Sequence, residues 1–241
     1  MFNFRVYLLD YDGTLAATRP AGIACLTRTL GERGTSVPEE LMNAAIGSGM
    51  PLERVFATLV PALTTAEIAA CVARYRALYP LFDRDMTSLY DGAYETVAAL
   101  HRGGREIVVL SNKGRAALEA ALARFDLLDM TSAVLAADPG VPLKPDPQTF
   151  HERVQPLFDG LARSDFVMVG DTAADIAFAQ AVGIASCWVR YGYGDAAACL
   201  AMKPDCVVDA LPELLGTGTK PEQDSLSAAQ PGPPGRPGGT G

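Results

Sequence analysis

The chain has 241 residues, 49% apolar and 20% charged, which is ordinary globular composition and enough length to bury a core in one large domain or one and a half. Twenty Lys and Arg stand against 28 Asp and Glu, a net charge of -8 that gives no bulk attraction to a phosphate backbone and argues against a nucleic-acid partner. The five scattered cysteines include no C-x-x-C pair and read as buried thiols of a reducing compartment, and with only His101 and His151 available any metal must be held by oxygen.

The first segment, residues 1–9, lacks an apolar stretch of signal-peptide length, and nothing in the chain approaches the roughly 18 uninterrupted apolar residues of a membrane span. A cytoplasmic protein without a membrane partner is expected. Short apolar runs follow one another at 6–9, 107–110, 133–136, 166–169, 187–189 and 206–208. They are continuous, not alternating, so both faces must be covered, as in a parallel sheet between helices. Segments 92–102, 114–125 and 173–182 carry apolar residues at spacings of three and four and fit crossover helices. The class is α/β, a doubly wound, Rossmann-like parallel sheet.

Between the first run and Tyr90 the pattern is helical, at 18–30, 38–45, 51–59 and 65–79, with no convincing strand. Placed directly after the first strand, such an insert must sit above the carboxyl ends of the strands, where ligands bind in open parallel sheets. The expected organisation is a core of 1–15 and 89–215, a small all-helical cap of 16–88, and a disordered tail of 216–241. That tail is rich in Gly, Pro, Ser and Thr and has one large aliphatic residue, Leu226.

Four polar clusters fall at strand ends: Asp10-Tyr11-Asp12-Gly13-Thr14, Ser111-Asn112-Lys113, Lys144-Pro145-Asp146-Pro147, and Gly170-Asp171-Thr172-Ala173-Ala174-Asp175. Each alone has a plain structural reading as an Asx turn, a helix N-cap or a proline-stiffened loop. Right-handed crossovers, however, bring all four to one edge of the sheet. Two unit charges about 4 Å apart repel by roughly 4 kcal/mol at an effective dielectric of about 20, so Asp10, Asp12, Asp171 and Asp175 need a compensating cation. With oxygen ligands alone, magnesium is the natural choice.

In order and content, DYDGTL, LSNKG, LKPDP and VGDTAAD resemble the motifs of the haloacid dehalogenase superfamily of phosphotransferases, over residues 5–215. The resemblance implies Asp10 as the nucleophile that forms an aspartyl-phosphate. It implies Asp12 as general acid and base, lending its backbone carbonyl to the metal. Ser111 and the amide of Asn112 would hold phosphoryl oxygens, Lys144 would neutralise nucleophile and phosphate, and Asp171 and Asp175 would serve the metal. Thr14 is assigned to substrate binding. The acid at position 12 favours phosphoryl transfer over halide displacement.

The insert resembles the small helical cap of that superfamily, with Gly47-Ser48-Gly49-Met50-Pro51-Leu52 as its substrate-facing loop. The cap has no lysine, which excludes the Schiff-base chemistry of phosphonoacetaldehyde hydrolases, and no histidine; with Thr14 where mutases carry an aliphatic residue, a mutase is disfavoured. A small phosphorylated metabolite is the expected partner, and phosphoglycolate phosphatase is the branch most resembled, through LSNK, LKPDP and Tyr191-Gly192-Tyr193-Gly194. The chain departs from that branch in having Ala17 and Thr18 where an acid and Ser are common. Alternatives are a pyrophosphatase, a broad phosphatase of sugar or secondary-metabolite phosphates, or a non-catalytic interaction protein on the same fold. Without lysine or histidine in the cap, the partner of a substrate carboxylate must be an arginine, a backbone amide or a hydroxyl, and among the arginines Arg54, one turn beyond the Gly-rich loop, is the candidate. The strand and helix pattern leaves the oligomeric state open.

Overall fold

The computed structural model describes residues 3–216. In chain order the elements are β1 (Val6–Leu9), β2 (Ala16–Ala17), α1 (Arg19–Gly31), α2 (Glu39–Ile46), α3 (Leu52–Leu59), α4 (Thr65–Met86), β3 (Ser88–Leu89), α5 (Ala93–Arg102), β4 (Glu106–Gly114), α6 (Arg115–Arg124), β5 (Ala133–Ala137), β6 (Phe166–Gly170), α7 (Ala173–Val182), β7 (Ala185–Val189), α8 (Ala196–Ala201) and β8 (Cys206–Val208). Short 3-10 and π turns fill the remaining crossovers.

Six strands form one parallel sheet in the order β5-β4-β1-β6-β7-β8. The pleat explains the continuous apolar runs. Tyr7, Leu9, Ile107, Val109, Val167 and Val169 face α5 and α6, while Val6, Leu8, Val108, Leu110, Phe166 and Met168 face α7 and the turn at Phe150–Val154. The central strands β1 and β6 are therefore buried on both faces along their whole length. The chain winds outward from β1 to β5, then returns to the other side of β1 as β6. This reversal opens a crevice at the carboxyl ends of β1 and β6, the place where doubly wound sheets bind ligands.

Helices α1 to α4 pack on one another around Leu26, Leu30, Met42, Val55, Phe56 and Val72, a core separate from the two faces of the sheet. Thr64 and Glu67 start α4 with reciprocal hydrogen bonds. Two features differ from the sequence expectation. The helix expected to end at Tyr79 runs on through Pro80 to Met86, so the proline does not break it. The stretch read as strand-free holds β2 and β3, which pair antiparallel, Ala16 with Leu89 and Ala17 with Ser88, and carry the chain into and out of the helical cap. Two residues per strand are too few to show any periodicity.

All five cysteines are free, four buried and Cys206 half-buried. Among the described residues no helix is long and apolar enough to cross a membrane. The expected disordered tail, from 217 onward, lies outside the described residues.

Candidate active site

The strand ends bring Asp10, Ser111, Lys144, Asp171 and Asp175 together as buried polar residues. Carboxylate oxygens of Asp10, Asp171 and Asp175 all lie within 4.8 Å of one another. Lys144 Nζ sits 3.1 Å from Asp10 and 2.6 Å from Asp175. One lysine thus meets two of the three buried carboxylates. Burial first, opposed by Lys144 and reinforced by Asp175 and Asp12, pushes the Asp10 carboxyl up to about 7. Asp171 is held well above the usual carboxylate range, by burial and then by the charges of Asp175 and Asp10. Burial acts against the charge of Lys144, but Asp10 and Asp175 outweigh it and raise its pKa.

Asp171 is fixed from three sides. Its Oδ1 accepts from the Thr14 hydroxyl at 3.1 Å, its Oδ2 accepts from the Tyr193 amide at 2.7 Å, and its backbone carbonyl accepts from Trp188 Nε1 at 2.9 Å. Two glycines make room for it. Gly13 turns the chain with φ of +81°, and a Cβ on either Gly13 or Gly192 would overlap the Asp171 side chain. Asp175, in the first turn of α7, accepts the amide and hydroxyl of Thr172 on one oxygen and meets Lys144 with the other.

Asp12 is not one of the three grouped carboxylates. Its Oδ1 accepts from Lys113 Nζ at 2.9 Å, and that ammonium also lies 3.8 Å over the ring of Tyr79 on α4. Asn112 ties the strand end to two loops: its Nδ2 donates to the carbonyls of Gly49 and Lys144, and its Oδ1 accepts the Lys144 amide. Ser111 Oγ accepts from the Lys113 amide at 3.3 Å. The cap therefore touches the core beside the acidic cluster, and a partly open cavity of about 620 Å³ lies between them, with Asp10, Asp12, Ser111, Asn112, Lys144 and Asp175 in its walls.

A sequence profile of haloacid dehalogenase-like hydrolases matches residues 7–189. The chain belongs to that family. Its relatives include a plasmid-encoded phosphoglycolate phosphatase of Cupriavidus necator, 33% identical over 216 residues that cover 86% of this chain and 91% of the relative. The pyrophosphatase PpaX of Halalkalibacterium halodurans is 27% identical and covers 86% of this chain and 94% of its own. Among solved structures, a haloacid dehalogenase-like hydrolase of Streptococcus pneumoniae superposes with a TM-score of 0.77 at 22% identity, covering 89% of this chain and 98% of its own. A predicted phosphoglycolate phosphatase from Haemophilus somnus does so with 0.80 at 23%, with the same coverage. These structural likenesses fix the fold.

In this haloacid dehalogenase-like hydrolase the motif residues Asp10, Ser111, Lys144, Asp171 and Asp175 gather in one buried cluster, with Asp12 and Asn112 in the cavity wall, whereas two candidates on the substrate side lie away from the cavity. Thr14 is fully buried and spends its hydroxyl on Asp171, so it lies behind the site and not in the cavity wall. Arg54 is exposed and lines no part of the cavity. Helix α3 turns Leu52, Val55, Phe56 and Leu59 toward the cap core, and Arg54 falls on the opposite side. Arg76, on α4, lines the cavity instead, its Nε 3.5 Å from where a Cβ of Gly114 would stand. Three further residues carried no role in the sequence reading: Lys113, Tyr79 and Tyr193. Tyr193 does more than hold Asp171, since its hydroxyl accepts the Arg19 amide at 2.8 Å and its ring stacks under that arginine, which joins the last motif loop to the start of the cap.

Proposed function

We propose that the protein is a magnesium-dependent phosphatase that hydrolyses a phosphate monoester of a small metabolite through an aspartyl-phosphate on Asp10. The observation that carries this reading is the set of three buried carboxylates within 4.8 Å, two of them met by a single lysine. Such a set is costly to keep unless a divalent cation joins it, and its all-oxygen donors suit magnesium. Asp10, Asp171 and Asp175 with the Asp12 carbonyl would hold the ion, and its charge would offset that of the phosphoryl oxygens.

An Asp10 oxygen would attack phosphorus while the alcohol leaves, taking a proton from Asp12. The same Asp12 carboxylate would then take a proton from water as that water attacks phosphorus, releasing phosphate and restoring Asp10. Lys144 would balance the charge of nucleophile and phosphate, and the Ser111 hydroxyl would donate to a phosphoryl oxygen. Lys113 pairs with the Asp12 carboxylate.

The relatives' names make 2-phosphoglycolate the first substrate to assay, with pyrophosphate and sugar phosphates beside it. The test is phosphate release with magnesium from purified protein and from the Asp10→Asn variant. Release that requires magnesium and falls at least a thousandfold in the variant supports the reading. Release that survives a chelator or the substitution rejects it.

A further inference from the structure

We propose that the substrates this site serves best are phosphate monoesters of apolar alcohols of about four to eight carbons, and that a two-carbon acid occupies only the floor of the cavity. The inference rests on reading that floor as a phosphatase centre and adds the identity of the leaving group.

Three observations point to this class. The first is size: about 620 Å³ falls within the roughly 300–1,000 Å³ of sites that bury drug-sized ligands. The second is the chemistry of the upper wall. Ile46, Met50 and Leu52 of the cap, all half-buried, line the cavity, and Ala116, Ala117 and Ala120 of α6 leave space on the core side. A substrate confined to the floor would leave water against these side chains, whereas an alkyl or aryl group would displace it.

The third observation is the commitment of the cations. Lys144 is paired with Asp10 and Asp175, Lys113 with Asp12, Arg115 with Asp138 and Glu119, and Arg124 with Asp83. The two remaining arginines of the wall, Arg76 and Arg84, are exposed, and Arg76 already lies 3.7 Å from Glu53. A second carboxylate beside the phosphate would be taken from water without a buried cation to receive it, a cost that an apolar leaving group does not meet.

The test is a series of ethyl, butyl and hexyl phosphates, whose leaving alcohols are nearly equal in acidity, assayed with magnesium beside 2-phosphoglycolate. Burial of each added methylene predicts a gain of about three- to fourfold in kcat/KM, so hexyl phosphate should exceed ethyl phosphate by roughly a hundredfold. In Ala116→Trp, a substitution at an exposed position of α6 that fills the upper cavity, hexyl phosphate should drop to the level of butyl phosphate. A flat or falling series, or 2-phosphoglycolate above hexyl phosphate, overturns the inference and leaves the phosphatase reading standing. A rising series that Ala116→Trp does not change also overturns it, because the chain would then lie elsewhere. Absence of phosphate release from every ester with magnesium is the failure of the underlying reading.

Discussion

Replacing Lys144 by Met keeps the length of the side chain and removes the one ammonium that faces Asp10 at 3.1 Å and Asp175 at 2.6 Å. Breaking a buried pair from one side costs about 3–5 kcal/mol, because the charge left behind has neither partner nor water. Two carboxylates are left behind here, so the upper part of that range applies, against a total stability of about 5–15 kcal/mol. For a chain of this size each kcal/mol shifts Tm by roughly 2–4 °C, which predicts a fall of about 8–20 °C. The loss must depend on pH. Burial and mutual repulsion already raise Asp10 and Asp171, and removing Lys144 strengthens that trend. The folded state then holds protons that the unfolded chain, with carboxyls near about 3.9, has released, so stability falls as pH rises through the window up to and beyond about 7. Thermal melts of wild type and Lys144→Met in chelator should therefore differ least at pH 5 and most at pH 8, and millimolar magnesium should recover part of the difference. A variant that melts within about 2 °C of wild type at pH 8, or a gap that ignores pH, would refute the claim that Lys144 compensates a buried acidic cluster.

Gly192→Ala should push Asp171 out of place, costing about 1–3 kcal/mol of stability through overpacking and lowering kcat about a hundredfold, in line with a displacement near 1 Å at a reacting centre. Steady-state kinetics and a thermal melt check both, and a kcat near wild type would show that this loop does not set the position of Asp171. Arg54→Ala should change kcat/KM for 2-phosphoglycolate by less than about twofold, because the side chain is exposed and outside the cavity wall; a tenfold loss would return Arg54 to the site.

What the sequence made legible follows from where its signals are strong. The central strands are legible because they are buried on both faces, and the site is legible because right-handed crossovers leave one edge on which Asp10, Ser111, Lys144 and Asp171 gather. The reading was weaker where a residue type did not reveal its direction. Thr14 has a hydroxyl suited to substrate, yet the turn at Gly13 sends it behind Asp171. For the arginines the phase of the helices was the available signal. The apolar spacing of Leu52, Val55, Phe56 and Leu59 already put Arg54 on the outer face, and Val72, Arg76 and Tyr79 share one stripe of α4, so reading by phase instead of by distance from the Gly-rich loop selects Arg76. The β2 and β3 pair and the run of α4 through Pro80 depend on tertiary packing, which local propensity does not encode.

The central claim is a covalent phosphoryl group on Asp10, and trapping it is the direct test. Protein mixed with magnesium and a turned-over monoester, quenched in borohydride during the first turnover and digested, should show residue 10 reduced to homoserine by peptide mass spectrometry, in the presence of substrate only. Reduction at Asp12, Asp171 or Asp175 instead, or an unreduced Asp10 under conditions where a burst of alcohol has been released, would contradict the account.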